Sequence, residues 1–192
     1  MSGRSLAGRG ASLPVLPLRW TLGSNGLKSP RHFADSRTEH VACPPAQAFR
    51  PILRIGGPTG WYYGNFFWRL RAFLDVLVGG IGFKPGRQSV DSLYVGERVD
   101  FWVVETLEPD RLLRLVAEMK LPGRAWLEFA VEPEDSGSLI RQTATFYPTG
   151  VPGILYWYML YPAHLLIFRG MIRRIVALAL EDTEMSTPGS VE

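Results

Sequence analysis

Between residues 99 and 147 four strand-like runs, VDFWVVETL, RLLRLVAEMK, RAWLEFAVE and SLIRQTATFY, are separated by EPD, LPG and PEDSG. Each run is rich in β-branched and aromatic residues, and each separator is built from residues that turn a chain. Consecutive runs joined by such short links must pair with their neighbours, so the stretch predicts an antiparallel meander. The middle hairpin can be taken further. With Leu121, Pro122 and Gly123 as the loop and Lys120 facing Arg124, Leu113, Leu115, Ala117 and Met119 oppose Val131, Phe129, Leu127 and Ala125. That face is wholly apolar. The other pairs Glu118 with Trp126, Val116 with Glu128 and Arg114 with Ala130, with charges alternating in sign. It reads as a solvated outer face or as a surface for a partner.

The meander is followed by VPGILYWYMLYPAHLLIFRGMIRRIVALAL, residues 151–180. Ile154, Tyr158, Tyr161, Leu165, Phe168, Ile172, Ile175 and Ala179 recur at four- and three-residue steps, the seam of a helix laid on a sheet. Pro162 must kink this helix or start a new one, and Gly170 permits close approach. Residues 151–168 lack charge and Arg169, Arg173 and Arg174 follow, which invites a membrane-span reading. Two prolines, a histidine and the sustained seam favour a clamped helix instead, with peripheral membrane contact through the Trp/Tyr cluster as an alternative.

Upstream, TEHVAC alternates as a first strand and AQAFRPILRI reads as a short helix limited by Pro51 and by Gly56 and Gly57. GWYYGNFFWRLRAFLDVLVGG reads as a second helix, with Tyr62, Phe66, Leu70, Phe73 and Leu77 on one face. SLYVGERV offers a further strand with a bend at Gly96. Residues 1–36 are rich in Gly, Ser, Pro and Arg and read as a disordered basic tail, with a transit peptide or a misassigned start as alternatives. Residues 183–192 read as a second tail. The domain then covers 37–182.

The order strand, two helices, meander, long helix buries both apolar surfaces when a curved antiparallel sheet of about five or six strands wraps the last helix. The predicted fold is α+β, a START-like helix-grip, in which a gap between sheet and helix becomes an apolar cavity. Six Trp, seven Tyr and ten Phe suit a bulky core or a bulky cavity. The candidate ligand-pocket residues are Trp61, Tyr62, Phe66, Phe101, Met119, Leu127, Phe129, Tyr158 and His164.

Other chemistries find little support. The net charge of +3 comes from Arg4, Arg9, Arg19, Lys28 and Arg31 in the tail, leaving the rest slightly acidic, so nucleic-acid binding is not expected. Cys43 cannot form an internal disulfide, and the three histidines show no metal-ligand spacing; a cytoplasmic setting without metal or cofactor is expected. GGIGFKPG and RIGGPTG lack the strand-to-helix context of a phosphate loop. No nucleophile elbow is present. For an enzyme, His164, Glu118 and Arg141 are the polar candidates, none with a visible partner.

GGPTGWYYGNFFWRLRAFLDVLVGG, GRQSVDSLYVGERVDFWVVE, LLRLVAEMKLPGRAWLEF and LIRQTATFYPTGVPGILYWYMLYPAHLLIFRGMIRRI resemble domain-of-unknown-function family 2867, over about residues 37–180. The resemblance implies the START-like, SRPBCC-type superfamily. It also implies kinship with longer proteins whose N-terminal half is an NAD(P)-binding short-chain-dehydrogenase or NmrA-like domain. No strand followed by G-x-G-x-x-G occurs here, so no nicotinamide chemistry carries over, and the resemblance brings no catalytic residues. Three readings remain: a module for a small hydrophobic ligand, an accessory domain docking a separate NAD(P)-binding protein through Glu118, Lys120 and Arg124, and a cyclase- or hydrolase-like enzyme. The first is favoured.

Overall fold

A computed structural model describes residues 32–64, 66, 87, 89 and 92–186. The elements are β1 (Phe33–Val41), α1 (Pro45–Leu53), a 3-10 turn (Gly57–Thr59), β2 (Arg98–Val99), β3 (Trp102–Glu108), β4 (Leu112–Ala117), β5 (Gly123–Glu134), β6 (Gly137–Pro148) and α2 (Gly150–Ser186). The six strands form one antiparallel sheet in the order β1-β6-β5-β4-β3-β2. The meander β3 to β6 lies as the turn chemistry predicts, and β1 closes against the last strand. One sheet face rests on α1 and α2, the helix-grip arrangement of an α+β domain.

The alternation in the strands sorts side chains to two faces. Leu113, Leu115, Leu127, Phe129, Val131 and Ile140 point inward and are almost wholly buried, meeting Phe49 and Ile52 of α1 and Met171, Ile172 and Ile175 of α2. A satellite cluster forms at the other end of α2 from Phe33, Phe146 and Trp157.

The β4–β5 register differs from the expected one by two residues. Leu113 opposes Phe129, Arg114 opposes Glu128, Leu115 opposes Leu127 and Val116 opposes Trp126. A shift of two leaves every side chain on its expected face, because the side-chain period is two. The cause lies in the turn. β4 stops at Ala117, and the Glu118 amide donates to the carbonyl of Phe101, the residue just before β3 (3.0 Å). The first residues of β5 pair with β6 instead, Gly123 opposite Pro148. A Cβ at Gly123 would lie 2.2 Å from the Tyr147 carbonyl oxygen, so glycine is required there.

Other boundaries move too. β1 begins at Phe33, inside the stretch assigned to the basic tail, and α2 reaches Ser186, inside the second. α1 continues through Pro51, and SLYVGERV supplies the two residues of β2 after a turn at Gly96. Of the expected helix over 60–80, Trp61–Gly64 are not helical and Tyr62 has φ +61°. The rest of it, and the GGIGFKPG loop, fall outside the described residues, except that Phe66 is helical.

α2 runs through Pro162 without interruption. Its contact face departs from the seam at the start: Trp157 is buried and Tyr158 is 55% exposed. Neither composition nor charge distinguishes the two sides of 151–168, so the phase could slip by one residue. Among the described residues no helix is long and apolar enough to cross a membrane. The outer side of α2 leaves Val151, Leu155, Met159 and Leu166 exposed.

Candidate functional site

The stretch RIGGPTGW folds as a clasp. Gly56 has φ +82°, and a Cβ there would lie 2.2 Å from Val99. The Trp61 indole N–H donates to Asp100 Oδ2 (2.8 Å), and Trp61 stacks on Phe101 with centroids 6.0 Å apart. Arg87 donates to the carbonyls of Leu53 and Ile55. Burial raises the Asp100 carboxyl pKa, opposed by hydrogen bonds from Trp61 and the Gly57 amide and by the Arg87 charge. A buried acid facing these glycines makes the loop a structural tie and a poor phosphate cradle.

Polar chemistry gathers elsewhere, on the inner face where β1 meets β6 beneath α2. Alternation sends Phe33, Asp35 and Arg37 of β1 inward beside Phe146, Ala144 and Gln142 of β6, with Arg37 directly opposite Gln142. Asp35 and Arg37 form an ion pair at 3.0 Å, their side chains 11% and 19% exposed. Gln142 is 1% exposed, and both atoms of its amide lack a hydrogen-bond partner among the described residues. Arg37 Nε, His164 Nδ1 and Trp157 Nε1 are buried and equally unpartnered.

α2 supplies the roof. His164 meets Trp157 edge-on at 5.4 Å and Phe168 at 4.8 Å. Trp157 stacks on Phe33 (5.2 Å) and Phe146 (6.0 Å). The cluster therefore falls between the satellite apolar cluster and the main core. Burial lowers the His164 pKa to about 4, with the Asp35 carboxylate opposing and the Arg37 cation reinforcing the drop. The imidazole is neutral near pH 7, one nitrogen a donor and the other an acceptor. Each buried polar atom left unmet costs about 1–3 kcal/mol, so five in one place are unusual for plain core packing.

The residues expected to line a pocket distribute unevenly around this cluster. His164 belongs to it, and Phe129 lies beside Gln142 in the β5–β6 register. Leu127 is fully buried and Met119 packs against the same core. Trp61 and Phe101 belong to the clasp. The Tyr62 hydroxyl donates to the Pro51 carbonyl (2.7 Å), and burial pushes its pKa up to about 12. Phe66 is 71% exposed, and Tyr158 touches the satellite cluster only through an edge contact with Phe33.

The charged hairpin residues are also placed. Arg98 grips Glu118 with two hydrogen bonds of 2.8 and 2.9 Å. Arg124 and Lys120 are exposed. Arg141 meets Glu132 on the outer face, so the three polar candidates for catalysis do not converge. Asp35 and Arg37 escaped notice because their strand began in apparent tail. Gln142 was missed as well; the signal that could have found it is a polar residue between Ile140 and Ala144 at an inward position of the alternation.

A concavity of about 380 Å³ opens away from this cluster, between the β1–α1 corner and the β5–β6 turn, lined by Ala42, Cys43, Pro44, Pro45, Pro133 and Glu134. Cys43 is buried beneath it, and the described residues hold no group of three or more metal-ligating side chains.

Among solved structures, the protein of unknown function SA2116 from Staphylococcus aureus superposes with a TM-score of 0.52 at 11% identity, covering 81% of this chain and 98% of its own. The Polyketide_cyc-like protein Cgl2372 from Corynebacterium glutamicum gives 0.46 at 14% identity, covering 85% and 100%. At such identities a likeness speaks to the fold alone, and the second is too weak to carry argument. No curated protein matches the sequence. The family described as "Protein of unknown function (DUF2867)" matches residues 29–171, and with the α+β helix-grip architecture and the GGPTGW clasp inside that span, the chain belongs to this family and has a START-like fold.

Proposed function

We propose that this chain is a binding module that holds a small, largely apolar molecule between the sheet and α2. The observation that carries the reading is the set of unpartnered polar atoms on Arg37, Gln142, Trp157 and His164, set between two apolar clusters. Core packing alone favours apolar side chains at such positions. A ligand with a polar end and an apolar body meets both the cluster and the aromatic walls around it. Of the residues expected to line a pocket, this reading keeps Phe129 and His164 in contact with the ligand; Trp61 and Phe101 serve by holding the clasp.

Native mass spectrometry on gently purified protein tests the reading. The expected result is a bound mass lost on organic denaturation, together with quenching of Trp157 fluorescence when the emptied protein is reloaded. Protein that stays empty, and that no apolar compound of graded size stabilises, would sink it. The docking reading has less to stand on, because Arg98 already engages Glu118 within the chain.

A further inference from the structure

We propose that the Asp35–Arg37–Gln142–His164 cluster selects a neutral head group that donates and accepts hydrogen bonds at once, as a carboxamide does, and rejects the free carboxylate on the same apolar chain. The inference rests on the binding role proposed above and specifies its ligand.

Three features carry it. The first is the inventory of unmet atoms. The Gln142 Nε2 needs an acceptor and its Oε1 needs a donor. A carboxamide answers both through the reciprocal pair of hydrogen bonds that two amides form, and its carbonyl can also receive the Arg37 Nε–H. A carboxylate only accepts, so Gln142 Oε1 would stay unmet.

The second feature is charge. Arg37 is already neutralised by Asp35 at 3.0 Å. The remaining groups facing the site, Gln142, Trp157 and His164, carry no charge near pH 7. The next inward acid on β1, Glu39, meets Arg173 of α2 at 3.9 Å. An incoming anion would be buried beside the Asp35 carboxylate with no unspent cation, an unfavourable placement. The third is shape. Phe33, Phe146 and Trp157 form a flat aromatic stack on one side and Phe129 and Phe168 flank the other, so the groups next to the polar spot are apolar and suit an alkyl chain attached to the head group.

The experiment titrates the full chain at pH 7.5 with decanamide, decanoate and 1-decanol, by calorimetry and Trp fluorescence. Decanamide is expected to bind about ten-fold or more tighter than decanoate, the scale of discrimination that one unmet buried polar group produces. Gln142→Leu should erase that preference, weakening decanamide about ten-fold and changing 1-decanol by less than about three-fold. The same variant removes two unmet polar atoms, so its thermal midpoint without ligand should not fall. Decanoate binding as tightly as decanamide, or a preference that survives Gln142→Leu, overturns the inference while leaving the binding role intact. Failure of all three compounds to bind at about 1 mM, with Gln142→Leu simply more stable, overturns both. The wild-type comparison needs no variant to fold.

Discussion

An imidazole held at about pKa 4 in the folded chain, against 6.5 when exposed, binds fewer protons folded than unfolded. His164 therefore permits full stability above about pH 6.5, and stability falls as pH drops toward 4. The loss should be on the order of 1–3 kcal/mol by pH 4. Urea melts across pH 4–7 measure it, and His164→Phe should flatten that part of the profile; an imidazole titrating near 6.5 by NMR contradicts the burial argument. Asp100 has the opposite sense. Burial raises its carboxyl pKa against the hydrogen bonds from Trp61 and Gly57, so ionising it costs more in the folded chain than in the unfolded one. Asp100→Asn keeps an acceptor for the Trp61 indole and suits the residue's φ of +60°. It should change stability at pH 7 by no more than about 1 kcal/mol, whereas Asp100→Ala, which strands the Trp61 N–H, should cost about 1–3 kcal/mol by chemical denaturation. Single residues were the least legible level of the sequence. His164 stood out as a lone polar residue in an apolar run. Asp35 and Arg37 did not, because an ion pair two residues apart on one strand looks like any solvated surface until the opposite strand and the roof are known.

Elements were far more legible, since periodicity and turn chemistry are local. The four strands of the meander lie where alternation and Pro/Gly-rich links place them, with both faces of the β4–β5 hairpin correctly sorted. Its register was not readable, because Gly123 is drawn to Pro148 of β6 and not to β4, a contact between residues far apart in sequence. The start of α2 failed for a related reason: with Trp157 and Tyr158 both aromatic, only the shape of the sheet decides which turns inward. Gly153 marks where that choice is fixed. A Cβ there would lie 2.3 Å from the Pro122 carbonyl oxygen and 2.9 Å from Pro148 Cα. These are backbone atoms of the hairpin turn and the end of β6, which cannot rotate aside. Gly153→Ala should therefore lift the first turns of α2 off the sheet and destabilise the chain by about 1–3 kcal/mol, despite the better helix propensity of alanine. Thermal unfolding of this variant beside Gly150→Ala, whose Cβ meets nothing closer than 3.6 Å, separates a packing clash from the strain of a positive φ. Equal midpoints for wild type and Gly153→Ala would remove the contact from the account.

At the scale of the whole molecule, α2 spans two apolar clusters, and the polar seam crosses between them under its middle turns. The main core is fastened by α1, by the centre of the sheet and by the Arg54–Asp182 ion pair at 2.9 Å, which ties α1 to the far end of α2. The satellite cluster has less to hold it. β1 is an edge strand joined to the sheet through β6 alone, and Phe33, Phe146 and Trp157 supply most of its burial. Local opening is thus cheapest at β1 and the N-terminal half of α2, on either side of the proposed ligand, which gives a bulky molecule a way in without unfolding the core. A ligand seated there bridges both clusters and should slow that opening. At a hundred times its dissociation constant it stabilises the fold by about 2.7 kcal/mol, a rise in Tm of roughly 5–10 °C for a domain of this size. Hydrogen exchange resolves where the protection falls. Amides of β1 and of α2 before Ile167 should exchange faster than those of β5 and β6 without ligand, and should slow most when it binds. Protection spread evenly over the sheet would place the ligand elsewhere, and protection confined to the Cys43 groove would move the site to the opposite corner of the molecule.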